Sequence, residues 1–234
     1  MSTASPFSSW AMINRLLFIG GAVTLVLTLV SIRWIDLPLA SWIHAHGLDS
    51  RLWMRWFLDT PIVATPVAMI YMLIYIVRRK RSAATRGEDD WFLVSAALLV
   101  SLEVKYVLKL AFGRTWPREV MNVGAPKSAS FDCVASHGYL NDGIHLFNFF
   151  QGADKQYSAF PSGSTVSLIA MVVPIMALYP RFRWPLVAFS AVSLLFFVLT
   201  NTHYLGDVVA GLYVGLLCGL VPLAMRADRL AGRV

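Results

Sequence analysis

The side chains of this chain that could do chemistry fall into three short stretches. His203 and Asp207 lie four positions apart in NTHYLGD, Asn201 to Asp207. On a helix that spacing puts both on one face. A carboxylate there can hold an imidazole and favour its charged form, the pairing of a nucleophile with its orienting group. In FPSGS, Phe160 to Ser164, Pro161 suits the first position of a helix, where the missing N–H costs nothing. The amides of Ser162, Gly163 and Ser164 would then point out of a helix N-terminus, an arrangement that binds phosphate, and Gly163 would let an anion approach the backbone closely. KLAFGRTWP, Lys109 to Pro117, offers Lys109 and Arg114 as cations for a phosphate.

Each group also has a plainer reading. A histidine at a helix start is commonly a hydrogen-bonded structural residue. Lys109 could extend its ammonium to a membrane interface, and Arg114 could anchor there. Glu103 and Lys105 read as a surface or interhelical ion pair. His137 and His145 read as loop residues, with His145 kept as a candidate site residue.

The elements that must position these groups are apolar helices. The 234 residues are 57% hydrophobic and 14% charged, with mean hydropathy +0.63. A soluble domain carries roughly 45–50% apolar and about 25% charged residues, so a soluble protein is excluded. The apolar residues form six runs: Leu16–Ile32, Pro61–Val77, Trp91–Phe112, Ser162–Tyr179, Trp184–Thr200 and Tyr204–Met225. The reading is an all-α polytopic membrane protein of about six transmembrane helices. An interfacial helix is expected in the polar, aromatic stretch Arg33–Asp59, and a long outer loop, Gly113–Phe160, between the third and fourth spans. Residues 1–234 read as one domain.

Lys and Arg near the span ends set the orientation. Arg15, the RRKR cluster Arg78–Arg81, Arg86, Arg181, Arg183, Arg226, Arg229 and Arg233 outweigh Arg33, Arg51, Arg55, Arg114, Arg118, Lys127 and Lys155 and sit in shorter loops. Both termini are therefore expected in the cytoplasm. All three chemical stretches then fall at the outer face. The net charge of +7 is topological, with anionic lipid as its partner; no nucleic-acid footprint and no obligate protein partner are expected. The first run reads as a retained span, since no cleavage site follows it. Cys133 and Cys218 suggest neither a disulfide nor a metal site.

With these residues in view, the chain resembles the type-2 phosphatidic acid phosphatase superfamily, which also includes vanadium haloperoxidases. The pattern of that family is Lys, six residues, Arg-Pro; Pro-Ser-Gly-His; and Ser-Arg, five residues, His, three residues, Asp. Lys109 and Pro117 match the first motif, Pro161, Ser162 and Gly163 the second, His203 and Asp207 the third, and the resemblance runs from about Asp36 to Val221. It implies a phosphohistidine mechanism without cofactor or metal. His203 attacks phosphorus and Asp207 orients it. Lys109 and the amides near Ser162 and Gly163 stabilise the phosphoryl group. The implied protein is a lipid phosphatase or phosphotransferase of the bacterial cytoplasmic (inner) membrane. Its substrate would be a membrane lipid phosphate or diphosphate, of the polyprenyl diphosphate or phosphatidic acid type, bound at the periplasmic or exterior face.

Three positions depart from the pattern. Trp116 stands at the Arg of the first motif, and Phe196 and Phe197 at the Ser-Arg of the third. Ser164 stands at the His that would protonate the leaving group. Loss of a positioned acid costs about 10²–10⁴-fold in rate. A diphosphate substrate, whose leaving phosphate is already a stable anion, suffers least from that loss. The other readings of Ser164 are a slow enzyme, an acid lent by His137 or His145, or a substitution made to trap a ligand. Arg114, two positions before Trp116, is a geometric substitute for the first missing Arg. The competing classes are a catalytically impaired protein of the same fold that binds phospholipid phosphate, and a lipid transporter. The transporter is the weaker, because no inverted repeat is visible.

Overall fold

The computed structural model describes residues 10–83, 85–117, 147–153 and 157–230; the candidates His137, His145 and Cys133 lie outside the described residues. Among the described residues the regular elements are helices. The chain opens as one long rod. It comprises α1 (Trp10–Arg15), α2 (Gly21–Val30) and α3 (Asp36–Ala45), joined by π-helical turns at Leu16–Gly20 and Ser31–Ile35. The helix expected after the first span is present as α3, but it runs on from α2 without a break. The stretch Arg33–Asp59 therefore divides. Its first part completes the rod, Gly47 turns the chain at φ 65°, and a 3-10 turn at Leu52–Arg55 leads into α4 (Trp56–Lys80).

The basic connection after α4 is shorter than the sequence suggests, because α5 (Arg86–Phe112) begins early. Thr85 caps it, accepting from Glu88 N at 3.4 Å while its own N–H donates to Glu88 Oε2 at 2.7 Å. This reciprocal box satisfies two otherwise orphaned donors. Gly113, at φ 48°, ends α5. A side chain there would meet the Asn148 carbonyl at 1.9 Å, because residues 147–153 fold back over the end of the helix. Asn148 N bonds the Gly113 carbonyl at 2.6 Å and Phe150 N bonds that of Ala111 at 3.1 Å.

The remaining helices are α6 (Gly163–Leu178), α7 (Arg183–Leu199) and α8 (Leu205–Leu230). α6 is the central element, buried along most of its length and packed chiefly on α8 and α5. A glycine at every fourth residue of α8 makes the closest seam. Cβ atoms at Gly211, Gly215 and Gly219 would stand 2.8 Å from the Ser162 carbonyl, 2.7 Å from the Val166 carbonyl and 2.8 Å from Val173 Cβ. Small residues let helix backbones approach where lipid offers no hydrophobic drive between helices. Below the site, Ile43, Leu168, Val172, Phe197, Val198 and Val208 form an apolar core.

Five helical segments are long and apolar enough to cross a membrane: Ile13–Ala45, Thr60–Lys80, Arg86–Phe112, Pro180–Leu199 and Leu205–Asp228. α6 is apolar but has 16 residues, about 24 Å at about 1.5 Å per residue, short of a hydrocarbon core of about 30 Å. The protein is an all-α integral membrane protein, and α6, too short to span by itself, is the helix the others enclose.

Candidate active site

The three motifs meet at the N-terminal ends of α6 and α8. Between α7 and α8 the chain makes a tight turn in which Asn201 takes φ 50°, a left-handed conformation that asparagine tolerates. The Asn201 amide donates to the Ala40 carbonyl at 3.0 Å, and His203 N bonds the Phe197 carbonyl at 3.1 Å. The turn is thereby fastened to α3 and α7, and His203 is fixed at 3% exposure.

Asp207 occupies the first turn of α8, where its Oδ2 accepts the Tyr204 N–H at 3.1 Å, a capping bond at the helix N-terminus. The same oxygen lies 3.7 Å from His203 Nδ1. That distance is a charge contact, longer than a formed hydrogen bond. Burial pushes the His203 pKa down, and Lys109 adds to this; Asp207 and the Ala159 carbonyl oppose the shift without reversing it. The resting imidazole is therefore held toward its neutral form, although the spacing alone pointed to imidazolium.

Lys109 is the last basic residue of α5. Its ammonium donates to the Ser158 carbonyl and stands 5.1 Å from the Trp116 ring centre, within cation–π range. Trp116 also lies 5.0 Å from the His203 ring. The indole that replaces the family arginine thus sits between the lysine and the histidine. Phe197, the other replaced arginine, is fully buried in the apolar core. The first departure falls inside the site and the second outside it.

Arg114 is 0% exposed and bridges two carboxylates, Nη1 to Asp207 Oδ1 at 2.5 Å and Nη2 to Asp36 Oδ2 at 2.7 Å. Its guanidinium also lies 4.2 Å from the Tyr204 ring centre. Burial works against its charge, but Asp207 and Asp36 outweigh burial and raise its pKa. Its hydrogen-bonding edge is committed to protein; Nε alone lacks a hydrogen-bond partner among the described residues.

At α6, Ser162 is the N-cap and is fully buried. Its hydroxyl pairs with Thr165 Oγ1 at 2.8 Å and accepts from Thr165 N at 3.4 Å. Its N–H donates to the Asp207 carbonyl at 3.0 Å. Of the three amides expected to face a ligand, those of Gly163 and Ser164 remain, since first-turn amides have no partner within their helix. Ser164 itself is half-buried on this turn. A Cβ at Gly163 would stand 3.2 Å from Lys109 Cε and 3.3 Å from Lys105 Cδ, so both lysine stems lie against the turn.

Two residues differ from their sequence reading or escaped it. Lys105 donates to Ser167 Oγ at 3.1 Å, whereas Glu103 is exposed on another side of α5. Asp36 was not singled out. The signal for it was a lone carboxylate within the first helical rod, since intramembrane ionisable groups are seldom idle. Among the described residues no group of three or more His, Cys, Asp or Glu is placed to hold a metal ion.

A neutral imidazole backed by a carboxylate, a neighbouring ammonium and the open end of a helix together make a site for phosphoryl chemistry. No curated protein and no solved structure matches the chain. The family model of the PAP2 superfamily matches residues 90–230, more than half of the chain and a range that contains all three stretches, and the chain is a member of that superfamily, with a function of the phosphatase type.

Proposed function

We propose that the protein is a lipid phosphatase or phosphotransferase acting on membrane lipid phosphates or diphosphates through a phosphohistidine at position 203. The observation that carries this reading is the meeting of His203 with Asp207, Lys109 and the first turn of α6. Nδ1 of His203 faces Asp207, so Nε2 is the nitrogen that attacks phosphorus. As the N–P bond forms, the bond from phosphorus to the leaving oxygen breaks. Water then attacks the phosphohistidine, breaking N–P and releasing phosphate; a lipid hydroxyl in its place gives transfer. Lys109 and the Gly163 and Ser164 amides offset charge on the phosphoryl oxygens.

Ser164 cannot supply a proton as an imidazole would. A leaving phosphate needs that proton least, which favours a lipid diphosphate such as a polyprenyl carrier. In this reading the membrane is a bacterial cytoplasmic membrane, and the basic residues near the span ends support a topology with both termini in the cytoplasm and the site at the outer face. No step requires a metal.

The test is phosphate release by the purified chain in detergent with chelator present, from polyprenyl diphosphate and from phosphatidic acid. His203→Ala should abolish release. Turnover surviving that change would refute the nucleophile.

Trp116 favours a second reading, a protein that binds phospholipid phosphate with little turnover, because an indole stands where the family arginine would hold the phosphoryl group. Ser164→His and Trp116→Arg separate the two. Gain of turnover in either marks an impaired site of the same chemistry; binding of inorganic phosphate with no turnover in the parent or either variant supports the binding protein.

A further inference from the structure

The carboxylate of Asp36 belongs to this site, although its helix lies outside residues 90–230, the segment matched by the superfamily. It is 1% exposed, and a charge at that depth is costly without partners. Asp36 Oδ1 accepts from Ser31 Oγ at 3.0 Å and from Gly206 N at 2.9 Å, and Oδ2 accepts from Arg114 Nη2 at 2.7 Å. Gly206 directly precedes Asp207. A Cβ at Gly206 would stand 2.9 Å from Asp36 Oδ2, so the missing side chain is what admits the carboxylate to the start of α8.

The result is a row of alternating charges: Asp36, Arg114, Asp207, His203. Arg114 is held from both sides, at 2.7 Å by Asp36 and at 2.5 Å by Asp207. Were Asp207 its sole counter-ion, the guanidinium would neutralise the charge that Asp207 presents to the imidazole. With Asp36 on the far side, the three groups sum to one negative charge. We infer that Asp36 is a positioning residue for His203: by sharing Arg114 it leaves Asp207 with the charge and orientation that hold the imidazole. This rests on reading His203 as the nucleophile.

Among the described residues, the charged groups that face His203 are Asp207 from α8 and Lys109 from α5. Behind Asp207 stand Arg114, from the segment after α5, and Asp36, from α3. Asp36→Asn keeps the shape and an acceptor for Gly206 N but removes one negative charge. The potential at the imidazole becomes more positive, and the His203 pKa falls further. Removing Arg114 as well, in Asp36→Asn with Arg114→Gln, returns the sum to one negative charge, and the pKa moves back toward the parent value. A purely structural tie between the first rod and α8 predicts no such reversal.

The test is a pH titration of the His203 ring by NMR, on the full chain in detergent with isotope-labelled histidine. The resonance is assigned by its loss in His203→Gln. The expected result is a fall of the pKa in Asp36→Asn and a return toward the parent value in the double variant. An unchanged pKa in folded Asp36→Asn, or a fall that the second substitution does not reverse, overturns the inference. Should Asp36→Asn not fold, Gly206→Ala takes its place, displacing the Asp36 carboxylate without removing its charge. A smaller fall in the same direction upholds the inference and no fall overturns it. The titration needs no substrate, so it stands apart from the loss of turnover in His203→Ala that decides the nucleophile. Where turnover is measured, kcat of Asp36→Asn should drop about 10–100-fold, by analogy with the outer partners of metal-bound histidines, with KM little changed because Asp36 does not touch substrate.

Discussion

Ser162 donates its backbone N–H to the carbonyl of Asp207 at 3.0 Å. Through this bond the first turn of α6, with the Gly163 and Ser164 amides at its open end, is held in register with the first turn of α8, which carries the carboxylate behind His203. The two motifs lie far apart in the chain, yet their relative position depends on one hydrogen bond and on the glycine seam beneath it.

The seam can be tested by position. Gly211 faces the Ser162 carbonyl, whereas Gly219 faces Val173, two turns further along α8. Valine at either position overpacks the interface and should cost about 1–3 kcal/mol of stability, read as a lower melting temperature in detergent. Only Gly211→Val should also weaken binding of inorganic phosphate at a temperature where both variants are folded. Equal phosphate affinities would mean that the seam does not set the site.

Trp116 touches both Lys109 and His203. Trp116→Arg places a guanidinium where charge develops on the phosphoryl group. The expected gain in metal-free phosphate release is about tenfold or more, since one such donor is worth about 10²–10³ in an established site. A rate at or below that of the parent would show that the indole is a required part of the site.

The pH dependence follows from the same neighbours. A nucleophilic imidazole must be neutral, so kcat/KM rises with pH through the pKa of His203. Burial and Lys109 lower that pKa, which puts the acid limb below the ordinary imidazole value of about 6.5. Lys109→Met removes a positive charge and should move the limb to higher pH, beyond any loss of rate. Lys109→Arg, which keeps the charge, should leave it in place. Coincident limbs in the parent and Lys109→Met would contradict the assignment.

Arg114 should behave as a structural bridge. Arg114→Met strands two fully buried carboxylates, and removal of one partner from such a cluster costs about 3–5 kcal/mol. Arg114→Lys keeps the charge but cannot reach both carboxylates in the fork geometry of a guanidinium, and should fall between. Unfolding followed by tryptophan fluorescence measures both. A loss under about 1 kcal/mol in Arg114→Met would put the guanidinium at the ligand rather than in the frame.

The fold class was legible because membrane insertion writes itself locally. Each span is a run of apolar residues, and five of the six runs coincide with the helices to within about five residues, the first being the exception. The boundaries that moved were those set by polar detail. The Thr85–Glu88 box extends α5 into the basic connection, and the first rod continues through Arg33 because its helical backbone persists to Ala45.

The nearness of His203 to Asp207 was legible as well, as a matter of spacing, although only Asp207 lies on the helix and His203 sits in the turn before it. What the sequence by itself determined, then, were the contacts made within one helix or at its end: the spans, the helix start after Pro161, and the imidazole beside its carboxylate. Tertiary structure alone decided how the charges are shared. Arg114 is a phosphate ligand by position in the chain and a bridge between Asp36 and Asp207 in space, and Phe197 departs from a motif yet lies in the apolar core. The reason is that a buried charge takes its role from the partners that surround it in a medium of low dielectric, and Asp36, Arg114 and Asp207 come together only when α3, the segment after α5 and α8 pack against one another.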